Sequence, residues 1–340
     1  MTDLEPLAHR YQGIVCDLDG VVYRGPHAVP GAVEALSALA IPIVWATNNA
    51  SRRPGEVAAH LRDLGLRVAD EAVLTSSLAG AAEVATIVPA DTAVLAIGGE
   101  GVSEALRSYG LRPVGPDAHA AGTRVESVLQ GYGAQVSASD LGEAAYAIQG
   151  GATWVATNDD ATLPTERGEA PGNGALVGAV AMAVGCEPVV VGKPHPPMYQ
   201  MAARLLDLDT TQVMAVGDRL QTDIAGAHQA GTASALVLTG VHDASDAAAA
   251  PVDHRPDYLL SNCADLLEPY PARGDHDDRS TRGDARAVVE PGDPATLTVI
   301  GGSPVDRARA ALDVLWWAID EGHITPERAR ALMRESVGTV

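Results

Sequence analysis

Short runs rich in valine and isoleucine, each followed by a stretch of helical periodicity, recur along the chain and limit its fold more than any other feature. They lie at 13–18 (Gly-Ile-Val-Cys-Asp-Leu), 41–46 (Ile-Pro-Ile-Val-Trp-Ala), 188–192 (Pro-Val-Val-Val-Gly), 213–217 (Val-Met-Ala-Val-Gly) and 234–239 (Ser-Ala-Leu-Val-Leu-Thr). Strands covered on both faces read as continuous apolar runs, and parallel strands need helical crossovers. The pattern therefore predicts βα units and a mostly parallel sheet. The first four runs end in polar residues or glycine. Open α/β sheets bind ligands beyond the carboxyl ends of their strands, which would bring Asp17, Asp19, Thr47, Asn48, Lys193 and Asp218 to one edge.

The 140-odd residues between Asn49 and Gly192 have an alternation of their own, with strand-like segments at 93–97, 127–131 and 153–157. Helical stretches separate them: 140–149 opens with an Asp-x-x-Glu capping pattern, and 174–184 is small and apolar. Residues 80–186 are read as an inserted α/β domain forming a cap over a core of 1–79 and 187–270. Residues 271–284 are almost devoid of apolar side chains and read as a linker. Beyond them, 285–340 should hold a strand at 295–300, a helix from about 304 to 321, and a last helix opened by Thr325-Pro326. The fold class is α/β: a Rossmann-like parallel sheet core, an inserted α/β cap and a small C-terminal α+β extension. A unit of ~55 residues is marginal alone. It is expected to pack on the main body or on a second subunit, the latter making a homodimer.

Composition excludes several functions. Twenty-three basic residues against forty-four acidic ones give a net charge of −21, and no stripe of Lys and Arg exists to neutralise a nucleic-acid backbone. No stretch is long and apolar enough to span a membrane. The first residues lack the pattern of a secretory signal. The three cysteines, Cys16, Cys186 and Cys263, are widely spaced in apolar surroundings and read as buried free thiols of a cytoplasmic protein. Lys193 is the only lysine beside twenty-two arginines, which suggests a need for a compact point charge there.

Four strand ends carry chemistry. In Asp17-Leu18-Asp19-Gly20, side chains two apart share a face and Gly20 permits a sharp turn. Two carboxylates so close need a cation between them or a retained proton; a hard divalent ion such as Mg²⁺ meets the first requirement. Thr47-Asn48-Asn49, followed by a helical stretch, offers hydroxyl, amide and backbone N–H groups either to phosphate oxygens or to an ordinary N-cap. Gly192-Lys193-Pro194 presents the lone ammonium. Gly217-Asp218-x-x-x-x-Asp223 adds a third carboxylate, Asp218, while Asp223 would orient Lys193 or a metal-bound water. Each alone is an ordinary strand end; their joint order points to a phosphate-handling Mg²⁺ site.

These four motifs resemble those of the haloacid-dehalogenase superfamily, in its phosphatase branch with the cap between the second and third motifs. That branch includes p-nitrophenylphosphatase-like, pyridoxal-phosphate, phosphoglycolate and glycerol-phosphate phosphatases. The resemblance covers about 10–265 and extends to Arg24-Gly25 and to the 156–164 segment, Ala-Thr-Asn-Asp-Asp-Ala-Thr-Leu-Pro. The C-terminal unit resembles that of the actinobacterial glycerol 3-phosphate phosphatases. The resemblance implies that Asp17 attacks phosphorus and that Asp19 serves as acid and then base. Mg²⁺, with Mn²⁺ or Co²⁺ able to substitute, would be held by Asp17, Asp218 and the Asp19 carbonyl. Thr47, Asn48 and Lys193 would bind the phosphate, with Asp223 and Asn49 behind them. Asn158, Asp159 and Arg167 in the cap would meet a small phosphate ester, with glycerol phosphate favoured over phosphoglycolate and pyridoxal phosphate. The alternative from another class is a phosphometabolite-binding regulator without turnover. Only 27 residues separate Asp19 from Thr47, too few for a cap of the mutase kind.

Overall fold

The computed structural model describes residues 5–165, 167–292 and 294–338. Packing divides the chain into two compact units, Met1–Ile43 with Leu206–Val340, and Val44–Leu205.

In the first unit four strands run parallel in the order Tyr258–Leu260, Ala233–Val237, Val213–Gly217, Gly13–Cys16. Every residue of Gly13–Cys16 and Val213–Gly217 is buried, the reason both segments are unbroken apolar runs rather than alternating ones. The chain leaves Val213–Gly217 through a π-turn, Leu220–Ile224, which continues into the helix Ala225–Ala230.

The second unit begins inside the strand Ile43–Thr47, which pairs in parallel with Val73–Thr75. It also holds a five-stranded parallel sheet in the order Val189–Val190, Thr153–Ala156, Ser127–Gln130, Ala93–Ile97, Arg112–Val114. One apolar cluster contains Val94, Leu106 and Leu129, and another Leu95, Ile97, Val128 and Trp154. The helix expected from 140 runs from Ala138 to Gln149. Its N-cap is Ser137, whose hydroxyl accepts from Asp140 N, while Asp140 returns a bond to Ser137 N. The helix Asn173–Val184 ends at left-handed Gly185, and Cys186 just beyond it is exposed. The expectation of a buried thiol fails there because the chain has already left the helix; Cys16 and Cys263 are buried.

The C-terminal segment departs most from expectation. Residues 271–284 are not a linker: Arg273–Gly274 and Arg279–Arg282 are strands of a four-stranded antiparallel sheet completed by Ala285–Glu290 and Thr296–Ile300. Their polarity misleads because buried Asp313 takes it up, accepting from Ser280 Oγ at 2.6 Å and from Arg282 Nε and Nη2 at 2.8 and 2.9 Å. The helices Pro304–Asp320 and Pro326–Ser336 follow. The extension packs on the main body, the first of the two expected arrangements. Leu220, Ile224, Leu236 and Leu259 share one apolar cluster with Leu297, Leu312, Leu315 and Met333. Trp316 Nε1 donates to Ala247 O at 2.9 Å, and Arg255 grips Asp320 through two bonds of 2.6 and 2.7 Å.

Because Leu315 is fully buried in this shared cluster, Leu315→Ala should cost about 3 kcal/mol. Urea unfolding should show the loss in the main transition; a separate early transition would contradict the shared core.

Candidate active site

Asp17 extends the ladder beyond Gly13–Cys16, its N–H donating to Val216 O at 2.8 Å. The chain then turns sharply. Leu18 O accepts from Val21, Val22 and Tyr23 N–H groups, and Gly20 takes a φ of 84°. Asp218 follows Val213–Gly217, and the π-turn brings Asp223 back over that strand end. One carboxylate oxygen from each of Asp17, Asp218 and Asp223 lies within 4.8 Å of the others. Asp218 and Asp223 are 1 % and 2 % exposed. Like charges in a low-dielectric site repel strongly, and an all-oxygen donor set of this kind fits a hard divalent cation. Asp223, expected behind the cation, thus stands among the carboxylates that could hold it. Asp19 is exposed, unlike these two.

Backbone closeness fixes this cluster. A Cβ at Gly20 or Gly240 would overlap Asp218 Oδ2, and one at Gly217 would overlap the Asp223 carboxyl. Sequence reasoning missed the segment Thr239-Gly240-Val241-His242, for which a glycine just past a strand was the available signal. Thr239 Oγ1 donates to Gly20 O at 2.7 Å, and Thr239 O accepts from Arg24. Val241 N donates to Asp218 Oδ2 at 2.7 Å, and His242 N to Asp218 O at 3.2 Å. His242 Nδ1 accepts from Leu220 N at 3.2 Å, so the same residue steadies the turn that carries Asp223. Burial pushes the His242 imidazole below its ordinary value, in keeping with an unprotonated Nδ1.

In the second unit, Thr47 is buried at the end of its strand and its Oγ1 accepts from Asn49 N at 3.1 Å. Asn49 Oδ1 caps the turn through Ser51 N and Oγ. The Asn48 amide was expected on phosphate, but it is engaged with protein. Its Oδ1 accepts from Lys193 N at 2.9 Å, and its Nδ2 donates to Lys193 O at 2.9 Å and to Asp160 Oδ2 at 3.1 Å. The side chain thereby clasps both backbone groups of Lys193, which is 4 % exposed.

Asn158 was expected to face substrate; it is instead a buried strut. Its Nδ2 donates to Asn48 O at 2.8 Å, and its own carbonyl accepts from Asn173. Asp159 remains half-exposed, with Oδ2 3.0 Å from His195 Nε2. That bond holds the Asp159 carboxyl below the usual range despite partial burial. Arg167 is exposed at the turn joining the antiparallel strands Thr162–Thr165 and Gly168–Pro171.

Fold and site define a Rossmann-like α/β protein with an acidic cation position beyond its strand ends. A family model described as haloacid dehalogenase-like hydrolase matches residues 14–112, and a HAD-hydrolase-like model matches 190–266. The chain is 39 % identical over 302 residues to a D-glycerol 3-phosphate phosphatase of Mycobacterium tuberculosis, spanning 89 % of this chain and 80 % of that protein. The crystal structure of a glycerol phosphate phosphatase from the same organism in complex with magnesium superposes with a TM-score of 0.81 at 36 % identity over 92 % of both chains. A p-nitrophenyl phosphatase from Archaeoglobus fulgidus gives 0.68 at 31 % identity over 76 % of this chain and 98 % of its own. The chain belongs to the haloacid dehalogenase-like hydrolase family.

Since a methyl group at 240 must displace Asp218, Gly240→Ala should weaken divalent-cation binding by about 10- to 100-fold. Calorimetric titration with Mg²⁺ measures it directly. Unchanged affinity in a folded variant would show that this cradle is not what sets the cation position.

Proposed function

We propose that this enzyme is a phosphatase for small phosphate monoesters, glycerol 3-phosphate or its enantiomer first among them. The gathering of Asp17, Asp218 and Asp223 carries the reading: such a cluster needs a cation, and a cation beside a carboxylate is what lets an anionic nucleophile approach an anionic ester. Asp17, Asp218 and the Asp19 carbonyl would hold Mg²⁺, or Mn²⁺ or Co²⁺ in its place, with Asp223 alongside. When bound, the ion offsets the repulsion between carboxylate and phosphate.

Asp17 attacks phosphorus as the ester P–O bond breaks, leaving an aspartyl-phosphate, and Asp19 gives its proton to the departing alkoxide. Asp19 then takes a proton from the water that hydrolyses the acyl phosphate, freeing phosphate and regenerating Asp17. Lys193 and the Thr47 hydroxyl stabilise charge on the transferring oxygens. The Asn48 side chain is committed to the Lys193 backbone, so its share falls to its N–H. Segment 80–186 acts as the cap that expels water. Likeness to a glycerol-phosphate phosphatase over most of the chain, extension included, supports the substrate. Three cysteines outside any disulfide support a reducing, cytoplasmic setting.

Activity should vanish on chelation and return with Mg²⁺. Asp17→Asn should lose at least about a thousandfold in kcat. A panel of glycerol 3-phosphate, 2-phosphoglycolate, pyridoxal phosphate and p-nitrophenyl phosphate, ranked by kcat/KM, tests the substrate. Turnover of none would favour the regulator, and a preference for pyridoxal phosphate or phosphoglycolate would overturn the choice of ester.

A further inference from the structure

We infer that Asp159, oriented by His195, sets the charge class of the substrate: it accepts a hydroxyl from the leaving group and turns away esters with a second anionic group at that position. This rests on the reading of Lys193 as a phosphate anchor. Thr153–Ala156 and Val189–Val190 are neighbouring parallel strands, with Ala156 opposite Val190 and Val191 N bonded to Ala156 O at 3.2 Å. The loops leaving their carboxyl ends, one with Asp159 and the other with Lys193, are adjacent by construction. His195 closes the gap. Its N–H donates to Gly192 O at 2.9 Å, fixing the turn around Lys193, while its ring reaches Asp159 at 3.0 Å.

The other polar side chains of the Asp159 loop face inward. Asn158 is buried against Asn48 and Thr157, and Asp160 is bonded to the Asn48 amide. Asp159 is 45 % exposed and His195 34 %. An ionised carboxylate offers lone pairs and no proton. Set near the lysine that anchors the phosphate, it welcomes a hydroxyl-bearing leaving group. A carboxylate there meets like charge in a chain that already carries −21. Glycerol 3-phosphate and 2-phosphoglycolate make the contrast well, being of similar size and differing in a diol against a carboxylate.

The test measures kcat/KM of the full-length enzyme with Mg²⁺ for glycerol 3-phosphate, 2-phosphoglycolate and p-nitrophenyl phosphate, in the wild type and in Asp159→Asn. The neutral aryl group of the last reports on the phosphate end alone. The substitution should raise phosphoglycolate relative to glycerol phosphate by at least about tenfold and leave p-nitrophenyl phosphate within about threefold. An unchanged ratio with p-nitrophenyl phosphate activity intact overturns the inference. If Asp159→Asn does not fold, Asp159→Ser is read by the same criteria. A wild-type enzyme that cleaves p-nitrophenyl phosphate but no polyol phosphate refutes the substrate proposed above instead. The effect of Asp159→Asn on phosphoglycolate relative to the aryl ester then still decides the role of Asp159.

Discussion

Carboxylates that share a site removed from water raise one another's energy, and backbone donors offset only part of it. Asp218 and Asp223 are almost wholly buried with Asp17 beside them, so a cation among the three, or a retained proton, is what relieves their repulsion. The local architecture serves that demand. Glycine at 20, 217 and 240 lets backbone approach where any side chain would overlap a carboxyl group. The approach brings the Val241 N–H onto Asp218 and the Arg219 N–H onto Asp223. The donors fix where the oxygens point, and the ion supplies the rest of the balance.

A second constraint governs the ammonium. Lys193 lies in a turn whose N–H and C=O would otherwise need water, and one neutral amide, Asn48, answers both. Asn48 O in turn receives Ser76 and Asn158, so the clasp is anchored at both ends. A carboxylate in this role would pair with the lysine ammonium, whereas an amide is neutral and engages both backbone groups.

How much of this could be read from the chain varied with the kind of signal. The longer strands of the parallel sheets were legible because burial leaves an apolar run, and Asp17, Asp218 and Lys193 because each follows such a run; the three-residue strands Val73–Thr75, Arg112–Val114 and Tyr258–Leu260 went unread. Residue type alone misled for Asn48 and Asn158. An amide at a strand tip has the same appearance whether it binds a ligand or another loop, and only the partner, 145 positions away for Lys193, decides. The cradle at 239–242 went unread because much of its function lies in backbone groups and in an absent Cβ, of which Gly240 just past a strand is a weak sign. Residues 271–284 failed for a related reason: Ser280 is polar yet buried and Arg282 is partly so, and the carboxylate that permits this, Asp313, belongs to a later helix.

That later helix links the extension to the chemistry. Leu220 and Ile224 open and close the π-turn that presents Asp223, and both lie in the apolar cluster to which the extension contributes Leu297, Leu312, Leu315 and Met333. A turn of i→i+5 bonds is rare and poorly stabilised by its own hydrogen bonds, so its geometry depends on packing from outside. Arg309 adds a polar tie, donating from Nε to Leu259 O at 2.9 Å beside the same core. What reads in sequence as an appendage is thus part of the wall behind an acidic residue of the site. Its apolar side chains hold the turn while Arg219 N and the carboxyl oxygen of Asp223 close it from within.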